Sequence, residues 1–222
     1  MLCAGNDIVD CSSPAAQGKA RSARFVRKVL TGDEQARLAA AQDPDRLLWA
    51  FWAAKEAAYK AASKMVPAIS AAPRRYDVAL DCNNPRCFCR GRVSTPEMVV
   101  RVRILVFRHY LHCIAAAGPG ADPDALLSGQ GALEAFAPDA PPAISHEHQS
   151  RAVREMAVVR IGSCLGLAPE EIRFIRARTS RGPGPPFAYA KDRLLPVDIS
   201  FSHHGRYAGY AAFIEHLPVI AA

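Results

Sequence analysis

The sequence contains no apolar run near the roughly 20 residues that a membrane-spanning helix needs. A signal peptide is also missing from its start, because MLCAGNDIVD places a carboxylate, Asp7, where such a peptide would be apolar. These absences argue against a helical membrane protein and a secreted one. We therefore expect a cytoplasmic protein that has no membrane partner.

Negative charge is the scarcer kind in this chain. The 21 Asp and Glu stand against 28 Lys and Arg, which leaves a net charge of +7. That excess favours anionic partners in general. No nucleic-acid-binding motif accompanies it and the basic residues are spread along the chain, so nucleic-acid binding is an alternative that rests on charge alone. We expect no nucleic-acid partner.

Paired C-x-x-C knuckles are absent, although the chain has seven cysteines and three of them cluster in CNNPRCFC, at Cys82, Cys87 and Cys89. Without such pairs or a nearby histidine, the cluster is a weak zinc candidate. An odd number of cysteines in a chain of 222 residues suits free thiols in a reducing compartment. We interpret the cluster as small thiols in a hairpin or loop, with metal binding as the alternative.

The first half of the chain reads as helices followed by a sheet. GNDIVD predicts a short strand, and residues 23–42 predict helix with a break near Thr31. The strongest helix is DPDRLLWAFWAAKEAAYKAASKM, with Pro44 near its start. Four segments that alternate or run apolar then predict an antiparallel sheet: YDVALD, FCRGRV, EMVVRVRILVF and HYLHCIAAA.

The second half repeats this order after a change of composition. Residues 119–144 are rich in Pro, Gly and Ala, so we predict a linker with a short helix near 132–136. Next come the helix SRAVREMAVVRIGSCLGL, the strand IRFIRA, the loop TSRGPGPPFAYAKDRLLP and the strand pattern DISFSHHGRYAGYAAFI. HYLHCIAAA aligns with RYAGYAAFI, and Tyr110 then matches Tyr207.

This repetition predicts an α+β fold of two similar units, each a long helix packed on a small antiparallel sheet, that form a pseudo-dimer. Half of the residues are hydrophobic, which suffices for the cores of two such units. We place the first unit at 1–118, the linker at 119–144 and the second unit at 145–222.

The strongest helix carries charges among residues that otherwise suit burial, in FWAAKEAAYK. Glu56 and Lys60 are four residues apart, so they share one helix face and can act on one ligand. A surface ion pair is the plain alternative. Asp7 lies in a mostly apolar strand, where a carboxylate is unfavourable unless it is paired or binds metal. Asp7 and Glu56 are plausible Mg²⁺ ligands, although Asp7 also suits a turn at a strand end.

A third group of polar residues lies near the end of the chain, in SFSHHGRY. Ser202, His203 and His204 stand at a predicted strand end before a glycine, where amides and an imidazole can meet a phosphate. An ordinary structural histidine is the alternative for His203.

Together, GNDIVD, WAAKEAAYK and SFSHHGRYA resemble the 4′-phosphopantetheinyl transferases. The combination of G-x-D-x-V, W-x-x-K-E-A-x-x-K and S-x-S-H-x-G is specific, and the resemblance extends from Gly5 to Phe213 with the linker unmatched. It implies transfer of phosphopantetheine from coenzyme A to a serine of an apo acyl or peptidyl carrier protein, with release of adenosine 3′,5′-bisphosphate.

The resemblance also implies a role for each matching residue. Asp7 and Glu56 would hold Mg²⁺ against the pyrophosphate, and Glu56 or a water on the metal would take the serine proton. Lys60 would neutralise or protonate the departing phosphate. Ser202, His203 and His204 resemble residues that hold the nucleotide, with His203 at its 3′-phosphate. The charges of FWAAKEAAYK would therefore face a pocket between the two units, while Phe51 and Trp52 anchor the helix.

Several departures from the family pattern qualify the resemblance. Larger, surfactin-type members carry an extra acid at the position of Val9, so the metal site here is similar to that of the short holo-acyl-carrier-protein synthases, as Asp10 also suggests. Short members form trimers of single units, whereas this chain holds two units and is predicted to be a monomer. The half with K-E-A precedes the half with S-x-S-H, which implies a permuted arrangement. The second helix lacks acids that match Glu56, so we expect one active site per chain.

The loop RTSRGPGPPF departs most clearly. Members of the family have G-K-P in a loop that touches coenzyme A, but Pro183 or Pro185 falls where the lysine is expected. Arg181 and Gly182 are therefore our candidate contacts. Arg151 and Arg160 are further candidates, with solvated helix charges as the alternative.

A different class of function is a catalytically silent binder of coenzyme A that kept the pocket. It predicts binding without transfer. The joint presence of Asp7, Glu56 and Lys60 favours the enzyme.

Overall fold

Two five-stranded antiparallel sheets, each with a long helix on one face, make up the protein. The structure is a computed structural model that describes residues 1–82, 88–135, 145–179 and 182–215. The predicted α+β class and the two similar units are confirmed. No helix in these ranges is long and apolar enough to cross a membrane.

Within the described residues, the first unit has three α-helices and the first sheet. The helices are α1 Ala23–Val29, α2 Gly32–Ala39 and α3 Pro44–Met65. The strands are β1 Cys3–Asp10, β2 Asp77–Leu80, β3 Phe88–Ser94, β4 Val99–Val106 and β5 Tyr110–Ala117, in the order β1-β5-β4-β3-β2. As predicted, the chain breaks between α1 and α2, where the Thr31 hydroxyl accepts a hydrogen bond from Glu34 N and caps α2.

The described part of the second unit has one long helix, α4 His146–Leu165, and the second sheet. Its strands are β6 Leu127–Ala132, β7 Ile172–Thr179, β8 Gly182–Ala190, β9 Arg193–His204 and β10 Tyr207–Ile214, in the order β6-β10-β9-β8-β7. In both sheets, the first strand of the unit is followed by its fifth, fourth, third and second. The two units therefore share one topology.

The predicted alignment of Tyr110 with Tyr207 agrees with this topology. Tyr110 begins β5 and Tyr207 begins β10, the strands that hold equivalent places in the two sheets. The two rings also stack on one another, with centroids 4.2 Å apart. Equivalent positions of the duplicated unit thus meet at the contact between the units.

One strand lies in the segment that we predicted as a linker. Strand β6 pairs antiparallel with β10 and completes the second sheet. Its sequence, LSGQGA, has two glycines and little apolar character, so it gave no strand pattern. Gly129 is needed there, because a Cβ atom would lie 2.6 Å from the Tyr210 ring. The predicted helix near 132–136 appears as a 3₁₀ turn at Leu133–Ala135.

A second strand, β8, takes up half of a predicted loop. Its sequence, GPGPPFAYA, contains three prolines, which cannot donate ladder hydrogen bonds and so argued against a strand. Pairing of β8 with β9 is recorded from Ala190 only as far as Phe187 opposite Asp198. Residues 183–186 still lie beside β7. The proline-rich half of β8 is therefore free of β9 and lines a cavity described below.

The expectation of free thiols is wrong for one pair of cysteines. Cys82 and Cys89 form a disulfide across the β2–β3 hairpin, with Cα atoms 6.1 Å apart. The hairpin placement of the cluster agrees with our interpretation, and Cys87 lies outside the described residues. Four other cysteines are free thiols: Cys3, Cys11, Cys113 and Cys164.

Candidate active site

Asp7 and Lys60 meet where α3 packs on β1. Small residues on both elements allow the close approach, since a Cβ atom at Gly5 would lie 2.0 Å from the Ala57 carbonyl oxygen of α3. Lys60 Nζ is 2.8 Å from Asp7 Oδ1 and donates a second hydrogen bond, 2.9 Å long, to the Asn6 carbonyl oxygen. Asp7 is largely buried, whereas the Lys60 side chain keeps 30% of its surface exposed.

Glu56 lies one turn before Lys60 on α3, within electrostatic reach of Asp7. Burial and, to a smaller extent, the negative charge of Asp7 raise the pKa of Glu56, the charge of Lys60 lowers it, and the net result is a pKa of about 7. The structure therefore brings the three residues together. A carboxyl group with this pKa can accept or release a proton near neutral pH.

The same pair of acids suits a divalent cation. Across the described residues, Asp7 Oδ2 and both oxygens of Glu56 accept no protein hydrogen bond. Two neighbouring acids with a single lysine, which pairs with Asp7, leave a negative charge when both are ionised, and a cation would offset it. No group of three or more Asp, Glu, His or Cys is assembled as a metal site in these ranges, so the candidate is the pair alone. Mg²⁺ takes one or two protein carboxylates and completes its shell with water and phosphate oxygens.

One charge of FWAAKEAAYK points away from this site, which corrects our prediction that all of them face the pocket. Lys55 is 1% exposed, and its Nζ lies 2.5 Å from Glu34 Oε2 and 2.8 Å from the Val29 carbonyl oxygen. Glu34 also accepts hydrogen bonds from the amides of Thr31 and Val78. Lys55 therefore ties α3 to α2 and β2.

A cavity of about 570 Å³ opens beside Lys60, between α3 and the second sheet. Its size lies in the range of small-molecule and cofactor sites. The charged groups on its wall are all basic, and the proline-rich half of β8 forms its far side. It is lined by Tyr59, Lys60, Ser63, Lys64, Pro67, Ala68, Arg176, Pro183, Gly184, Pro185, Pro186, Ile199, Ser200 and Phe201.

His203 is surrounded by positive charge. The pKa of His203 is lowered to about 4, chiefly by burial and then by the positive charges of His146, Lys60, Arg176 and Arg154, in that order. The His146 and His203 rings meet edge to face, with centroids 4.5 Å apart. Burial and the positive charges around His203 keep its imidazole neutral. A bound phosphate would offset these positive charges.

Ser202 and His204 lie on the opposite face of β9 from His203 and are already bonded to β1. The Ser202 hydroxyl accepts a 2.7 Å hydrogen bond from Asn6 Nδ2, and His204 Nδ1 accepts one of 2.9 Å from Asp10 N. Beyond His204 the chain turns at Gly205, whose φ of 56° favours glycine. The two side chains therefore join the units.

The remaining predicted contacts are dispersed. Gly182 begins β8, while Arg181 lies outside the described residues. Arg151 lines a different cavity of about 630 Å³, between α4 and β7. Arg160 is exposed and lines neither cavity. Asp10 accepts hydrogen bonds from Ser12 and from the amide of Arg206, so it supports the turn instead of the acid pair.

In the part of the second unit that the structure describes, the positions equivalent to the acid pair hold other residues. Asp7 pairs with Cys113, three residues after Tyr110, and Gly129 pairs with Tyr210, three residues after Tyr207. Gly129 thus stands where Asp7 would be. Aligning DRLLWAFWAAK with SRAVREMAVVR places Ile161 at the position of Glu56 and Leu165 at that of Lys60.

Sequence reasoning missed several residues around the site. Arg176 lines the cavity, and Asn6 and Lys64 bond the two units together. Arg176 lies outside every motif. Asn6 lies between the glycine and aspartate of GNDIVD, so a polar side chain inside an apolar strand was the one available signal.

An acid pair with a lysine, beside a basic cavity at the contact of two like units, is suited to chemistry on a phosphate ester. Residues 4–90 match the family model of the 4′-phosphopantetheinyl transferase superfamily. These residues include Asp7, Glu56 and Lys60, and the match confirms the resemblance read from the motifs for this segment of the chain. The match supports a transferase and phosphopantetheine transfer in general. A comparison with curated proteins gave no match.

Proposed function

We propose that the protein transfers 4′-phosphopantetheine from coenzyme A to a serine of an apo acyl or peptidyl carrier protein, yielding the holo carrier protein and adenosine 3′,5′-bisphosphate. The observation that carries this proposal is the convergence of Asp7, Glu56 and Lys60 within the segment that matches the superfamily. In the reaction, the serine oxygen bonds to the phosphorus of the phosphopantetheine group, and the bond from that phosphorus to the bridging pyrophosphate oxygen breaks.

Glu56 and Lys60 have opposite tasks in this step. Glu56 takes the proton of the attacking serine, since its pKa near 7 leaves a large fraction ionised at neutral pH. Lys60 neutralises the charge that develops on the leaving phosphate and can protonate it. Its partly exposed side chain lines the cavity, while Asp7 and the Asn6 carbonyl hold its ammonium group in place.

Asp7 and Glu56 would hold Mg²⁺, which would supply charge neutralisation at the pyrophosphate oxygens. The unpaired carboxylate oxygens of both residues support this assignment. Asp7 would serve only as a metal ligand, whereas Glu56 would also accept the proton of the attacking serine.

The nucleotide end of coenzyme A belongs in the basic cavity and beside His203. Arg176 and Lys60 on the cavity wall supply charge for its phosphates, and His203 stands among further basic groups. Gly182, at the start of β8, and Arg181, which directly precedes it in the sequence, remain proposed contacts of coenzyme A. Ser202 and His204 were predicted to share this work, but their bonds to β1 favour the role described in the next subsection.

We also propose that the protein works as a cytoplasmic monomer, because its two units supply each other with the contact that a dimer would provide. A light-scattering mass near the 24.0 kDa of one chain tests the monomer. A mass three times larger would contradict it.

The decisive test is the intact mass of an apo carrier protein after incubation with coenzyme A, Mg²⁺ and this protein. We expect a mass gain of one phosphopantetheine group, largely lost with Glu56→Gln. Glu155→Gln is the matched control, since Glu155 is an exposed acid on α4 that pairs with Arg151 at 3.9 Å. No gain across acyl and peptidyl carriers, despite binding of coenzyme A, would instead favour a silent binder. The prolines of β8 at the place of the expected lysine are the feature that favours this alternative.

A further inference from the structure

Strand β1 is an edge strand whose outer side is covered by side chains instead of a strand. Among the strands of the described residues, the first sheet continues from β1 only through β5. On the other side, Ala4 N donates to Asp198 Oδ2 over 2.6 Å, Asn6 N donates to Ser200 Oγ over 3.1 Å, and Asp10 N donates to His204 Nδ1 over 2.9 Å. The acceptors occupy alternate positions of β9 and so lie on one of its faces.

Asn6 is the centre of this contact. Its side chain is fully buried, and Nδ2 reaches both Ser202 Oγ at 2.7 Å and His112 Nε2 at 3.1 Å. Its carbonyl oxygen accepts the second hydrogen bond of Lys60. One residue therefore touches β9 of the second unit, β5 of the first and the lysine of the candidate active site, and it directly precedes Asp7.

The geometry points to Asn6 as a positioning residue: it fixes Asp7 and Lys60, on β1 and α3, relative to the nucleotide-binding strand β9. Ser202 is its partner in this role, so the serine of S-x-S-H serves as a latch between the units instead of a contact with coenzyme A. This inference rests on the proposed function, because it concerns the alignment of the two halves of that site.

A second contact keeps the units joined when Asn6 is changed. Lys64 Nζ donates to Asp198 Oδ2 at 2.7 Å, to the Ala4 carbonyl oxygen at 2.7 Å and to the Ile199 carbonyl oxygen at 2.9 Å. Loss of the Asn6 side chain should thus misalign the site without separating the sheets. Misplacement of reacting groups by about 1 Å can slow a reaction roughly 100-fold.

The test compares Asn6→Ala, Ser202→Ala and the double variant in steady-state transfer to an apo carrier protein. We expect kcat to fall at least about tenfold in each single variant, the double variant to fall no further, and KM for coenzyme A to change less than about threefold. Thr31→Ala is the control for lost stability, since it removes the cap of α2 far from β9. It should leave kcat unchanged.

Hydrogen exchange of the Asn6 and Asp10 amides gives a readout that needs no turnover. Both amides should exchange faster in Ser202→Ala than in the natural protein, because the latch holds β1 on β9. Unchanged exchange, an unchanged kcat in Asn6→Ala, or equal losses of kcat in Thr31→Ala would each overturn the inference. Protected amides in a natural protein that forms no product would instead overturn the proposed function, and with it the catalytic purpose of the latch.

Discussion

Two lysines on one helix have opposite environments, although they are five positions apart in FWAAKEAAYK. Lys55 is buried in an ion pair with Glu34, whereas Lys60 reaches a cavity and pairs with Asp7. Burial lowers the pKa of Lys55 and the partner carboxylate opposes the shift. The helix therefore uses one lysine to attach itself to its own unit and presents the other to the contact between the units.

Replacing each lysine by methionine should separate stability from activity. Lys55→Met leaves Glu34 buried without its cation, which we expect to cost about 3–5 kcal/mol of unfolding free energy. Lys60→Met should cost about 1 kcal/mol or less, because its pair is partly exposed, but should lower kcat at least 100-fold. Urea unfolding and transfer assays on both variants check this. Equal loss of stability in the two would contradict it.

The raised pKa of Glu56 makes stability depend on pH in metal-free buffer. Below pH 4.5 the residue is protonated in both the folded and the unfolded chain; as pH rises, the unfolded chain ionises first, since the folded pKa is about 7. The free energy of unfolding therefore falls as pH rises from 4.5 to about 7, by up to about 3 kcal/mol. Glu56→Gln should exceed the natural protein in unfolding free energy at about pH 8, and the difference should vanish near pH 4. A difference independent of pH would contradict this.

At the scale of elements, the close packing of α3 on β1 sets the distance between the acids. Gly5→Ala would place a Cβ atom 2.0 Å from the Ala57 carbonyl oxygen, so helix and strand must move apart. We expect a loss of about 2 kcal/mol or more and a large loss of transfer, measured by thermal unfolding and carrier mass. Gly32→Ala is the matched control, because its Cβ would meet no atom within 4 Å. If Gly5→Ala is inactive but as stable as the natural protein, the distance between α3 and β1 matters for activity and not for stability.

Elements with a regular pattern were predictable from the sequence, and elements held only by their neighbours were not. Helices α1 to α4 and strands β1 to β5 follow apolar periodicity and capping residues, which are local properties. Strands β6 and β8 are rich in glycine or proline, so their segments were predicted as a linker and a loop. They form because β10 and β7 offer open edges for pairing.

The candidate site divides in the same way. Asp7, Glu56 and Lys60 were predictable because each belongs to a short motif and the helical spacing of Glu56 and Lys60 is local. Asn6 and Ser202 are 196 residues apart, so their hydrogen bond depends on how the units pack and leaves no trace in either motif. The hydrogen bond between Lys64 and Asp198, which are 134 residues apart, likewise depends on how the units pack.

At the scale of the whole molecule, the candidate site lies at the contact of the two similar units, and each unit contributes one side of it. The first unit provides the acids and the lysine, and the second provides β8, β9 and the basic residues around His203. A single site at the contact of two units needs only one acid pair and one lysine. The equivalent positions of the other unit can therefore change without loss of the site. Gly129, Ile161 and Leu165 at the positions of Asp7, Glu56 and Lys60 are such a divergence.

This asymmetry predicts one coenzyme A site per chain. Calorimetric titration with coenzyme A should give a stoichiometry of one, and Arg176→Met should weaken binding about tenfold by removing a charge from the cavity wall. Arg173→Met is the control, because Arg173 lies on the same strand but pairs with Asp192. Two equivalent sites per chain would show that the second unit binds coenzyme A without an acid pair. That result would contradict a single site shared by the two units.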